Sequence, residues 1–241
     1  QSIALGTCAA FGTLFPVLLA GQNLFRGEGL ALLLGVCITL AGIAVIGYAG
    51  SLRSRLLSDE ERRAAVKDFA LTKGLLVALL AGAMSACFSL GLESGAAIQA
   101  AAVAAGVKEL FALNPVILLV TLGGFATNAA YCIFCNVKNR TGRDYFSVPA
   151  GVWVNNVLFC ALAGVLWYSQ FFGFGIGQTF FEPGSVVAAF AWCILMALNV
   201  TFSNVWGIIL REWRGASRKT VGVLVCGLAI LIFSLVFPNL F

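Results

Sequence analysis

Asn156, Cys160, Ala163, Trp167 and Gln170 recur at spacings of four, three, four and three. On a helix that spacing gathers them into one stripe, an amide, an indole and a second amide in line. Asn155 and Tyr168 lie just beside it. Amides both donate and accept, and flat aromatic faces stack on ring C–H groups, so the set suits a polyhydroxylated ligand such as a sugar. The same side chains also suit interhelical hydrogen bonding with an interfacial aromatic anchor.

Two carboxylates fall at the margins of apolar runs, Glu93 and Glu182. A charge inside a bilayer is costly and so marks function by default. Ser85 and Ser89 stand eight and four residues before Glu93, on the same helical face, where hydroxyls could solvate a carboxylate or a sugar; the plain alternative is that Glu93 snorkels to the interface. Glu182, beside Pro183 and Gly184, reads as a helix start. Asn128, Asn199 and Asn204 are further amides within apolar runs, expected to act as packing glue. The chain has no histidine, phosphate loop, nucleophile elbow or metal-ligand cluster, so we expect neither an enzyme nor a cofactor or metal site.

What must position these residues is a membrane bundle. Of 241 residues 61% are hydrophobic and 10% charged, and the mean hydropathy is +0.98. A soluble domain carries about 25% charged residues to cover its surface, so this chain cannot face water. Its net charge of +5 is no sign of nucleic acid, because the charges lie between apolar spans. The eight cysteines sit in apolar runs and read as small hydrophobes, without a disulfide framework. Cys132 and Cys135 have the C-x-x-C spacing of a redox or metal site, but with no second pair they read as helix packing. The chain opens on Gln1 with no Met, leader or cleavage site, and we expect its true start to lie upstream.

Seven apolar stretches separate, about 2–21, 29–51, 74–93, 111–137, 150–172, 184–210 and 220–240. Each is long enough to cross roughly 30 Å of hydrocarbon as a helix. The fold class is therefore all-α, a polytopic transmembrane helix bundle with about seven spans. Loop 52–73 holds Arg53, Arg55, Arg62, Arg63, Lys67 and Lys73; loop 138–149 holds Lys138, Arg140 and Arg143; loop 211–219 holds Arg211, Arg214, Arg218 and Lys219. The intervening loops hold only Arg26 and Lys108. That alternation puts the three basic loops in the cytoplasm and Phe241 outside. Phe172, Phe180 and Phe181 border the uncharged outer connection, and Tyr145 and Trp213 border inner loops.

The alanine-rich segment 94–110 reads either as an interfacial helix or as an extension of the third span. Gly42, Gly47, Gly123, Gly124 and Gly164 read as helix-packing positions. Pro16 should kink or end the first helix. A weak internal echo links Gly35-Val36 and Gly42-Ile43-Ala44-Val45-Ile46 to Thr220-Val221 and Gly227-Leu228-Ala229-Ile230-Leu231. Each copy follows an acidic loop residue, Glu28 outside and Glu212 inside, which would make the repeats inverted.

The string Asn155-Asn156-Val157-Leu158, Ala161-Leu162, Gly164 and Trp167-Tyr168-Ser169-Gln170-Phe171-Phe172 resembles the L-rhamnose–proton symporter family. Lys73-Gly74-Leu75 through Gly82, Ser85-Ala86 and Ser89 is similar, as are the stretch 100–105 before Gly106-Val107, Trp192, and Leu210 to Trp213 with Glu212. Glu28, Gly35 and Gly42 resemble the wider drug/metabolite transporter superfamily. The resemblance covers most of the chain. It implies about ten helices, of which these would be the last seven: 1–51 the last two helices of a first repeat, 52–73 a cytoplasmic loop, and 74–241 a five-helix inverted second repeat. It also implies import of L-rhamnose or a related deoxy-sugar, driven by protons, across a bacterial inner membrane. Family members carry charged or histidine residues just after the third span, where this chain has Ala96, Gln99 and Ala100. Glu93 is then the proton-coupling candidate, since shielding a carboxylate from water favours its protonated form.

The expected function is a multi-pass secondary active transporter, with Asn155, Asn156, Trp167, Tyr168 and Gln170 binding substrate and Glu93 coupling the proton. Its partners would be a small sugar, protons and the lipid bilayer, with no nucleic acid. The alternatives are an exporter or exchanger of another small metabolite, and a non-transporting membrane sensor subunit.

Overall fold

The structure is a computed structural model describing residues 2–54, 71–182 and 184–240. The charged segment carrying Arg55, Arg62, Arg63 and Lys67 lies outside the described residues, as do Pro183 and the side chain of Lys73. Among the described residues eight α-helices follow in order: α1 Ser2–Leu19, α2 Glu28–Ser54, α3 Leu71–Glu93, α4 Ala96–Ala104, α5 Asn114–Asn139, α6 Ala150–Gln178, α7 Val186–Ile209 and α8 Arg218–Val236. Short 3₁₀ turns occupy Glu109–Phe111 and Phe237–Leu240, and no strand occurs among the described residues. Among the described residues six stretches are long and apolar enough to cross a membrane, and α1 is a shorter apolar helix. The polytopic all-α bundle expected from the apolar runs is what forms.

The boundaries differ from the hydropathy reading in instructive ways. Segment 94–110 is a separate nine-residue helix, α4, cut from α3 by a turn in which the Gly95 amide returns to the Leu92 carbonyl at 3.2 Å. A Cβ at Gly95 would collide with Val116, so close packing fixes the break there. Helix α6 runs to Gln178, six residues past the expected end, so Phe172 lies within the helix rather than at its last position. The glycines at 173, 175 and 177 lower helix propensity without removing a hydrogen-bond donor. Nor does Glu182 begin α7. Gly184 at φ +83° breaks the chain, and the Ser185 hydroxyl caps the helix by accepting from the Ala188 amide at 3.2 Å.

The chain forms two compact units, residues 1–90 with 181–241, and residues 91–180. In the first, α2 runs along α8, and α1 packs on α2 and α7. Its core joins Ile43, Ile46 and Ala49 of α2 to Ala197 and Val200 of α7 and to Leu224 and Leu231 of α8. The echoed sequences meet each other here. A Cβ on Gly42 would stand 2.8 Å from Leu231, and one on Gly227 would stand 2.6 Å from Ile46. Each motif's glycine thus receives the last residue of the other, and the pairs 42–231 and 46–227 run in opposite chain directions.

In the second unit α3's end and α4 rest on the start of α5, through Gly91 against Val120 and Gly95 against Val116. The last turns of α6 rest on the 3₁₀ turn and the α5 entry, where Phe172 stacks on Phe111 at 5.7 Å and Gly175 admits Leu113. Three other glycines expected to pack, Gly123, Gly124 and Gly164, have no heavy atom near an added Cβ among the described residues. Those helix faces look outward.

Candidate functional site

Helix α6 carries the polar stripe on an otherwise apolar, uncharged surface of 29 residues. Only Phe171 and Gly175 are buried. Asn155 and Asn156 are exposed, Trp167 is 48% exposed, and Tyr168 and Gln170 are partly buried. Trp167 is steadied by an edge-to-face contact with Phe171, ring centroids 4.9 Å apart. Among the described residues no side-chain hydrogen bond engages Asn155, Asn156, Tyr168 or Gln170. Their donors and acceptors are available to a ligand.

The stripe divides into two stations. At a rise of 1.5 Å per residue, Asn156 and Gln170 are roughly 21 Å apart along the helix axis, more than one monosaccharide spans. Asn155 and Asn156 therefore form one polar station toward the N-terminal end of α6. Trp167, Tyr168 and Gln170 form another, the outer station, toward the C-terminal end that charge alternation is expected to place outside. Glu93, the last residue of α3, is exposed between Gly91 and Gly95, both seated on α5 near its start. The outer station of α6 adjoins Phe171, Phe172 and Gly175, which rest on the segment just before that start. Glu93 and the outer station thus belong to the same end of this unit, whereas Asn155 and Asn156 do not.

The hydroxyls expected to serve Glu93 have another use in Ser89. Pro16 has no N–H, so it leaves unpaired the carbonyl four residues back in α1, that of Gly12. The Ser89 hydroxyl donates to that oxygen at 2.9 Å, and α1 continues through Pro16 to Leu19. Gly12 is also where the Trp192 indole lies so close that a Cβ would collide with it. The indole N–H donates to the neighbouring Cys8 carbonyl at 3.3 Å, and Phe88 stacks on the same ring at 6.1 Å. Gly12, Ser89 and Trp192 form a knot that binds α1 to α3 and α7. Sequence reading missed it, although counting four residues back from Pro16 would have pointed to Gly12.

The other amides act within their own helices. Asn128, Asn199 and Asn204 each donate to the carbonyl four residues earlier, those of Gly124, Leu195 and Val200, at 2.8–3.0 Å. They do not bridge helices in these contacts. The eight cysteines are free thiols.

A sequence model of the L-rhamnose-proton symport protein family matches residues 1–239. The chain belongs to that family. It is 31% identical over 237 residues to the L-rhamnose-proton symporter of Yersinia pestis strain Pestoides F, covering 96% of this chain and 67% of that protein. The symporter of Yersinia pseudotuberculosis serotype O:3 strain YPIII matches to the same extent. No solved structure matches the chain. Membership makes this a transporter family protein rather than an enzyme, and with the apolar helices it makes the chain a multi-pass membrane protein. The two amide stations then lie on a helix of a solute carrier.

Proposed function

We propose that the chain is a secondary active transporter that imports L-rhamnose or a related deoxy-sugar together with protons across a bacterial inner membrane. The observation that carries the reading is the family match along nearly the whole chain. The chemistry of α6 supports it, because a sugar leaving water needs partners for each hydroxyl and an apolar face for its ring. Gln170 and Tyr168 offer the hydrogen bonds of the outer station and Trp167 the stacking face. Asn155 and Asn156 offer amides further in, a second resting point on the same path. Glu93, at the outer end, is assigned the proton: loading it removes a charge that would otherwise resist leaving water.

The proposal includes two inverted halves, with 74–241 the second, 1–51 the end of the first, and 52–73 the cytoplasmic connection. The reciprocal fit of Gly42 to Leu231 and of Gly227 to Ile46 supports it, since antiparallel pairing of like segments is what inverted repeats produce.

The test is uptake into liposomes holding the chain and an internal pH dye. Adding L-rhamnose should acidify the interior with the native chain, while Glu93→Gln should abolish the acidification. Uptake of labelled sugar without any pH change in the native chain would sink the proton assignment. No uptake of L-rhamnose or another deoxy-sugar would sink the substrate class.

A further inference from the structure

Helix α5 ends in a way that is conformationally expensive. The Thr141 amide returns to the Asn136 carbonyl at 3.1 Å and the Arg140 amide to Val137 at 3.3 Å, the paired bonds of a Schellman cap. That cap needs a left-handed residue, and Arg140 takes it at φ +58°. A Cβ is penalised in this conformation, which is why glycine is the usual occupant. Glycine fills the same role after α1 and α4, at Gly21 and Gly106, on loops that charge alternation places outside. Of the three loops placed inside, the two that lie within the described residues use arginine, Arg140 after α5 and Arg211 after α7. A cation is therefore held, against conformational preference, at the cytoplasmic ends of two membrane helices.

At Arg140 the surroundings form a groove. The Asn136 amide donates to the Tyr145 hydroxyl at 3.2 Å and its oxygen accepts from Thr141 at 2.9 Å, folding the loop back onto the last turns of α5. This leaves an open groove of about 560 Å³, with Ile133 and Val137 forming an apolar wall and Asn136, Arg140 and Arg143 forming a polar one. Neither arginine is ion-paired among the described residues. The loop holds three cations, Lys138, Arg140 and Arg143, against Asp144 alone. Phe146 beside it is 83% exposed.

We infer that this groove is a binding site for an anionic phospholipid, its phosphate on Arg140 and Arg143 and its first acyl carbons along Ile133 and Val137. Guanidinium groups bind phosphate oxygens in pairs, and basic pockets at the cytoplasmic ends of membrane helices meet anionic head groups there. The apolar wall and the bare Phe146 ring select a lipid over a soluble phosphate, which would gain nothing from them. The site lies away from both amide stations of α6 in sequence, and it does not depend on which solute is carried.

The test is native mass spectrometry of the detergent-purified chain titrated with phosphatidylglycerol or with phosphatidylcholine of identical acyl chains. The native chain should favour phosphatidylglycerol about tenfold. Arg143→Gln and Arg140→Asn should each weaken phosphatidylglycerol about fivefold and leave phosphatidylcholine unchanged. Asparagine tolerates the left-handed position, and Arg143 is exposed without a side-chain partner among the described residues, so both variants keep the cap. Arg214→Gln, in another basic loop, should have no such effect. Equal affinity for the two lipids, or an equal loss in Arg214→Gln, would overturn the inference. So would displacement of the lipid by millimolar glycerol phosphate, which would make this a soluble-phosphate site.

Discussion

Ser89 illustrates how a polar side chain in lipid is committed by backbone chemistry elsewhere. A carbonyl released by proline has no water to turn to within the bilayer, and the hydroxyl of a neighbouring helix replaces it. Ser89→Ala should therefore destabilise the chain by about 1 kcal/mol, read as a lower midpoint of thermal unfolding in detergent micelles. Pro16→Ala restores an N–H for Gly12, so adding it to Ser89→Ala should recover most of the loss. An additive double variant would disprove the pairing. At this scale the sequence was partly legible. The stripe on α6 could be read because 3.6-residue periodicity is local. The use of Ser89 could not, because its partner lies 77 residues away and only the fold brings α1 and α3 together.

Among helices, glycine divides into positions that are filled and positions that are bare. Gly42→Ala would bring a methyl group to 2.8 Å from Leu231 and should cost about 1–3 kcal/mol in the same unfolding measurement. Leu231→Ala should relieve part of that cost in a double-mutant cycle. Gly123→Ala and Gly164→Ala meet open space and should leave the midpoint unchanged or slightly raised. The extents of α2, α5 and α7 were legible within a few residues, since hydrocarbon demands an unbroken apolar run. Which faces pack was not, because in lipid both the buried and the lipid-facing sides are apolar and no amphipathic contrast survives. The same uniformity hid the end of α6: its three late glycines stay helical, and the apolar run continues through them.

At the scale of the whole chain, thirteen cations on alternate loops against two on the others predict its sidedness. In a chain freed of its accessible cysteines, with the fully buried Cys193 retained, Thr179→Cys should react with a membrane-impermeant maleimide on intact cells. Ser147→Cys should react only after permeabilisation, and the opposite pattern would reverse the topology. Helix α6 adds a constraint of its own. Its 29 uncharged residues measure about 43 Å, while the hydrocarbon layer is roughly 30 Å thick. Without a charge along its length to fix its depth, the helix answers this mismatch by leaning over, and its tilt follows the thickness of the surrounding lipid. The separation of the two amide stations projected along the membrane normal is then not a constant of the protein: short acyl chains shorten it, and long ones lengthen it.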